Sequence, residues 1–378
     1  MKTSLLFLLV VSFIFISGCV QQESIQISED DESKAPKEPK ISEETQQTQD
    51  DHTSPQQPQQ GRIIADELKS IQNPGYTERI DVSDGIVASL SRDRIIAVVD
   101  ITNPDSPILK KTLDTPGFTE AMYKDNYYYI GDSKEFQIYD NLNSQPIGVY
   151  KTDFWVATFT VKNGLAYLAA GDQLLVLDVK DPKNAKKISL TSLTGRAPSK
   201  VIIKDGHAYV VETLGGLNIV DVKDPANPKV VKILPFESHT VGFEIIGNYA
   251  YLARIVSTQS TATGFTENSV FEVIDISNPN SASVVGSLAI PATVRNLDAE
   301  GNYAYVIGGY PYLLSVIDIS TKNPTIVKTL DSIPGGGDAQ GIVVEKGRAF
   351  IADGLFGLRV IDISNPSNLK HVIDLDLQ

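Results

Sequence analysis

Residues 271–279 read FEVIDISNP and residues 358–366 read LRVIDISNP. An apolar run ends in Asp, and a turn containing Asn-Pro follows. The first half of that phrase recurs along the chain: IAVVD at 96–100, FQIYD at 136–140, LLVLD at 174–178, LNIVD at 217–221, FEVID at 271–275, LSVID at 314–318 and LRVID at 358–362. The terminal Asp residues are spaced 40, 38, 43, 54, 43 and 44 apart. A fixed period in this range is the mark of a repeat architecture and outranks any local reading.

Working outward from each anchor, a turn Gly or Asn and a short aromatic strand lie upstream, as in NYYYI at 126–130, GLAYLA at 164–169 and GHAYVV at 206–211. Downstream comes a further strand, such as PKVVKIL or PTIVKTL. Each unit thus holds four runs rich in Val, Ile and Tyr, bounded by turn residues. No segment sustains the i, i+3, i+4 spacing of an amphipathic helix. Four strands per unit and seven anchors predict an all-β chain: a single seven-bladed β-propeller of four-stranded antiparallel blades. The third strand is apolar at nearly every position, as a strand packed on both faces must be.

The signature resembles that of the LVIVD-repeat proteins, prokaryotic surface and secreted β-propellers, over residues 62–378. FQIYDNLNSQP departs most from it, losing the Asn-Pro turn. The resemblance implies the fold and no catalytic residues, because the matching positions are core and turn. The anchor Asp is expected to cap its turn by accepting backbone N–H bonds. Tyr129, Tyr167, Tyr209, Tyr251, Tyr305 and Phe350 share one position in the repeat and are expected to pack between blades.

The N-terminus carries an address. Lys2 precedes the apolar run Leu5 to Ile16, too short to span a bilayer and fitting an export signal over residues 1–18. Ile16-Ser17-Gly18-Cys19 resembles a lipobox, with Cys19, the only cysteine of the chain, as the lipidated residue. Residues 19–61 form an acidic, Gln-rich segment without apolar period, expected to be a disordered linker. These features predict an extracytoplasmic protein held to the membrane by an N-terminal lipid anchor.

The 378 residues carry a formal net charge of −14, which argues against nucleic acid as a partner. Residues 20–61 hold −7 of it, leaving about −8 on residues 62–378 once Lys2 is counted. No GxSxG, HExxH, P-loop or EF-hand pattern is present, and neither a cofactor nor a metal is expected. Recognition is expected where the repeats differ. Counting six residues back from the turn Gly or Asn predicts a ring of Arg79, Glu120, Thr158, Lys200, Val241, Arg295 and Gly341 around one channel mouth, with His239 close by. Three cations and one carboxylate there suggest a basic focus. The 54-residue spacing places a long polar loop at 254–269 on the same face, with Phe265 in it. Trp155, Tyr310, Tyr312 and Phe356 are further aromatic candidates. The expected function is an interaction scaffold for an envelope protein or glycan; the alternative is a hydrolase or lyase acting on an anionic substrate at the mouth.

Overall fold

The computed structural model describes residues 77–375 apart from 84, 92–94, 104–105, 115–118, 142–144, 262–263, 291, 309–312, 331–337 and 355–356, with the backbone alone at 77–78, 83, 119, 196, 257–261, 264–267 and 373–375. The proposed signal, Cys19, the linker, Tyr310, Tyr312 and Phe356 lie outside the described residues, as does the side chain of Phe265.

Twenty-eight strands follow one another in groups of four. Blade 1 is β1 (Thr77–Ser83), β2 (Ile86–Ser91), β3 (Ile95–Asp100) and β4 (Ile108–Asp114); blade 2 is β5 (Thr119–Lys124), β6 (Tyr127–Asp132), β7 (Glu135–Tyr139) and β8 (Gly148–Lys151). Blade 3 is β9 (Thr158–Lys162), β10 (Leu165–Ala170), β11 (Gln173–Asp178) and β12 (Lys186–Ser192). Blade 4 is β13 (Arg196–Lys204), β14 (His207–Leu214), β15 (Gly216–Asp221) and β16 (Lys229–Leu234). Blade 5 is β17 (His239–Ile246), β18 (Tyr249–Thr261), β19 (Gly264–Asp275) and β20 (Ser283–Ile290). Blade 6 is β21 (Val294–Glu300), β22 (Tyr303–Gly308), β23 (Leu313–Asp318) and β24 (Thr325–Leu330); blade 7 is β25 (Gly341–Glu345), β26 (Arg348–Ala352), β27 (Leu358–Asp362) and β28 (Lys370–Leu375). Each sheet pairs its strands in chain order, all antiparallel. The first strands touch one another in sequence around the ring, and β25 returns to β1. The protein is a seven-bladed β-propeller.

Seven apolar clusters each straddle two neighbouring blades, so the core is distributed over seven seams. The recurrent aromatic supplies the largest side chain at six of them. Tyr251, for example, packs against Val294 and Leu297 of the next blade, and Phe350 against Val87 across the seam between blades 7 and 1. The third strands are buried along their middles, as in β3 and β11, because both faces meet a neighbour. Among the described residues, the sheet of blade 7 is made of β25 to β28 alone; residues 62–71 lie outside the described residues.

The anchor aspartates cap as expected. Asp100, Asp178, Asp221, Asp275, Asp318 and Asp362 each accept, at 2.8–3.0 Å, from the backbone N–H two residues on. Just before each of these anchors the fourth strand carries one extra residue, a bulge repeated in six blades and missing from blade 2, whose sequence departs most from the repeat. In blade 5 the long polar segment is no loop. The β18–β19 hairpin continues past its neighbours for five further pairs, from Ser257↔Asn268 to Thr261↔Gly264, and adds roughly 17 Å of two-stranded ribbon.

The channel mouth as a candidate functional site

First strands place alternate side chains on one face, so positions two apart form successive rows along the channel. Pairing with the second strand fixes the outermost row: Arg79↔Leu90, Glu120↔Gly131, Thr158↔Ala169, Lys200↔Val211, Gly242↔Ala253, Asn296↔Ile307 and Gly341↔Ala352. The expected ring is therefore displaced by one residue in blades 5 and 6, and the reason is turn chemistry. Asn163-Gly164 and Asp205-Gly206 have positive φ at both positions (54° and 72°; 47° and 72°), the mirror-image turn that puts Gly second. Gly247 and Gly301 have positive φ (57° and 61°) while Asn248 and Asn302 do not, which is the turn with Gly first. Counting from the glycine then slips the register. Val241 and Arg295 are instead the extra residues of bulges in β17 and β21. A bulge re-aims its side chain, and both still line the mouth.

A cavity of about 390 Å³ opens there, bordered by Arg79, Glu120, Lys200 and Arg295 among others. Thr158 is buried beside Glu120 and is not on its wall; His239 begins β17 as an exposed residue opposite Ile255 and does not border the cavity either. Trp155 lies in the approach to β9, half exposed, where Val156 N–H donates to Ser133 O of blade 2 at 2.8 Å.

The next row inward holds Asp81, Glu244 and Asp298, which sequence reasoning missed. They stand two residues beyond the outermost row; a step of two from the expected ring reaches Asp81, but in blades 5 and 6 it lands on Phe243 and Leu297 because the register had slipped. The site is therefore mixed in charge and not a basic focus. Lys200 Nζ lies 2.9 Å from Glu244 Oε2. Glu120 Oε2 accepts from Phe159 N–H at 2.7 Å, and Asp298 Oδ2 accepts from Val344 N–H at 2.7 Å. These carboxylates satisfy backbone donors on the open edge of the following blade's first strand, which otherwise faces no strand. Burial pushes Asp81 up to about 7, helped by the Glu120 charge and opposed by Lys200. Burial also pushes Glu120 and Asp298 upward. For Lys200, burial works against the ammonium, yet Glu244 and Asp298 outweigh it and hold the group above its ordinary range.

Beneath the same face lies a layer of buried charge. Arg254 makes two 2.8 Å bonds to Glu272 and stacks its guanidinium 5.1 Å from the Phe236 ring centroid. Arg359 and Asp353 pair at 2.8 Å, both 1% exposed. Glu212 is fully buried against Gly195, and burial pushes it up to about 7. The signal was present as polar residues three before the anchor (Asn218, Glu272, Arg359), where Ala97 and Leu175 stand elsewhere. Among the described residues, no three His, Cys, Asp or Glu side chains are grouped to hold a metal ion.

Comparison with known proteins agrees with this architecture. The LVIVD repeat model matches residues 74–115, 195–234, 266–289, 292–330 and 336–375, which fall in blades 1, 4, 5, 6 and 7. No curated protein matches the chain. Among solved structures, Hsv2 of Kluyveromyces lactis is similar at a TM-score of 0.57 and 11% identity, over 81% of this chain and 100% of that one. A functionally unknown protein from Desulfotomaculum acetoxidans gives 0.54 and 13%, over 70% and 88% of the two chains. BamB from Moraxella catarrhalis gives 0.51 and 11%, over 78% and 84%. At these identities the likeness speaks to fold alone. Both the repeat match and the observed blades lead to one statement: the chain is a seven-bladed β-propeller that carries LVIVD repeats.

Proposed function

We propose that the protein is an extracytoplasmic scaffold, tethered through lipid on Cys19, whose mouth face captures a protein or glycan of the cell envelope. The observation that carries this reading is the placement of exposed apolar side chains. Ile108, Val149, Leu190, Ile233, Val284, Ile326 and Val327 lie on fourth strands, at the outer rim that every blade shows to solvent. Among the described residues, the large exposed apolar side chains elsewhere are Trp155 (51%), Leu214 (53%) and Val256 (46%), at the mouth-face ends of blades 3, 4 and 5. That sector also bears the β18–β19 ribbon. Aromatic and apolar anchors beside polar, adaptable backbone are the make-up of a protein interface. The lipobox-like sequence and the acidic segment of residues 19–61 support the tether: a flexible chain of that length reaches on the order of 35–40 Å.

The test replaces residues 256–267 by an Asn-Gly turn and measures partner capture by crosslinking in intact envelopes. Capture should be lost with thermal stability nearly unchanged, and Trp155→Ala should weaken it. Equal capture by both variants rejects the reading. Cys19→Ala should move the protein out of the membrane fraction; if the variant stays there, the anchor is wrong.

A further inference from the structure

Blade 1 breaks the repeat at one place inside the wheel. Where other blades carry Tyr or Phe, β2 carries Ala88, paired with Asp81 as Tyr251 is with Glu244. The seam between blades 1 and 2 lacks that ring, its aromatics being Tyr139 and Tyr128 of blade 2, and the cavity of about 390 Å³ extends along Ala88, Leu90 and Ala121 there. That volume is within the range of small-molecule sites. Its walls are apolar toward blades 1 and 2 and charged toward the axis.

The outermost row mixes Arg79, Glu120 and Lys200, while the row beneath it carries carboxylates alone as its charged groups. Arg79 and Arg295 are exposed at the mouth; Asp81 stands one pleat further in, about 7 Å along β1. The other carboxylates near it have partners on neighbouring blades: Glu120 caps Phe159, Asp298 caps Val344, and Glu244 holds Lys200. Among the described residues the Asp81 carboxyl accepts from adjacent Val82 N–H and makes no ion pair of its own, because Lys200, whose charge also acts on it, is held at 2.9 Å by Glu244. Asp81 is half-buried on the cavity wall beside Glu120, so a cation entering the cavity meets a carboxylate without an ion pair of its own.

We propose that this cavity binds an aliphatic ω-amino carboxylate, with its ammonium on Asp81, its carboxylate on the guanidinium groups of Arg79 and Arg295, and its methylenes along Ala88 and Leu90. The depth of one pleat corresponds to a spacer of about four to six carbons between the two charged ends. The site is separate from the apolar sector of blades 3 to 5, so small-molecule binding and partner capture can fail independently.

Isothermal titration of the full chain in detergent with 6-aminohexanoate tests this, with cadaverine and hexanoate as one-charge-type controls. The zwitterion should bind at least tenfold more tightly than either control. Asp81→Asn should weaken it at least tenfold, and Arg295→Gln should weaken it while leaving cadaverine unaffected. Ala88→Tyr puts the ring of the other blades into the cavity and should abolish binding without lowering the melting temperature. Should Ala88→Tyr misfold, the two charge variants still decide. No binding, a control that binds as tightly as the zwitterion, or binding indifferent to Asp81→Asn overturns the proposal. The ribbon-deleted variant should bind 6-aminohexanoate normally; its loss would place the site elsewhere.

Discussion

Asp275 accepts from Ser277 twice, from the N–H at 3.0 Å and from the hydroxyl at 2.6 Å, and its carboxyl lies below the ordinary range because of those bonds. Asp318 and Asp362 are lowered by equivalent bonds to Ser320 and Ser364, and Asp100 is brought down to about 2 by Lys110 and Thr102. Asp275→Ala should cost about 1–2 kcal/mol, read as a lowered urea midpoint. A substitution without effect would mean that the turn holds itself. Carboxylates inside the wheel behave oppositely, since burial pushes Asp81 and Glu212 up to about 7. The signs then give two limbs. Groups lowered in the fold lose their stabilisation as pH falls from about 4 toward 2, because the unfolded chain takes up more protons there. Groups raised in the fold hold protons between about pH 4 and 7 that the unfolded chain has released, so stability declines as pH rises across that window. The urea midpoint measured from pH 2 to 9 should therefore peak near pH 4–5. A midpoint still climbing at pH 8 would contradict the two-limb account. The anchors were legible because one residue type recurs in one place; the interior acids were not, because each occurs once or twice and gains its meaning only from neighbours on other blades.

Strands and turns were readable to a different depth. Period-two runs and turn residues suffice to count four strands per unit, and the aromatic strand declares its packing role by recurrence. The register of β17 and β21 was not readable from the glycine, since two turn types of equal length place it in different positions. The polar segment of blade 5 gave no strand signal of its own, being rich in Ser and Thr, and it pairs because the hairpin below it already sets the ladder. The charged layer on β14, β18, β19 and β27, with Asp353 just past β26, invites an element-scale test. Arg359→Ala leaves Asp353 buried without its ion partner and should cost about 3–5 kcal/mol. Replacing both by Leu should recover most of that loss in thermal melts. If the double variant is as unstable as the single one, the pair supplies more than mutual neutralisation.

Across the whole wheel, seven seams of similar construction carry the stability, and among the described residues each blade is built from four consecutive strands. The recurrent aromatic is missing at the seam where Ala88 stands, a break that was visible in the letters but without meaning until the blades faced one another. Tyr251→Ala, at a full seam, should cost about 3–5 kcal/mol, by analogy with other buried aromatic truncations, whereas Leu90→Ala, beside the existing cavity, should cost less. Comparable losses in denaturant titrations would show that the seams share their load evenly. A ring fastened only by side chains has no privileged starting point. A circular permutant that opens at residue 119 and joins 375 to 77 through a Gly-Ser bridge should refold to the same wheel, which leaves the starting blade free to change while every adjacency between blades is kept.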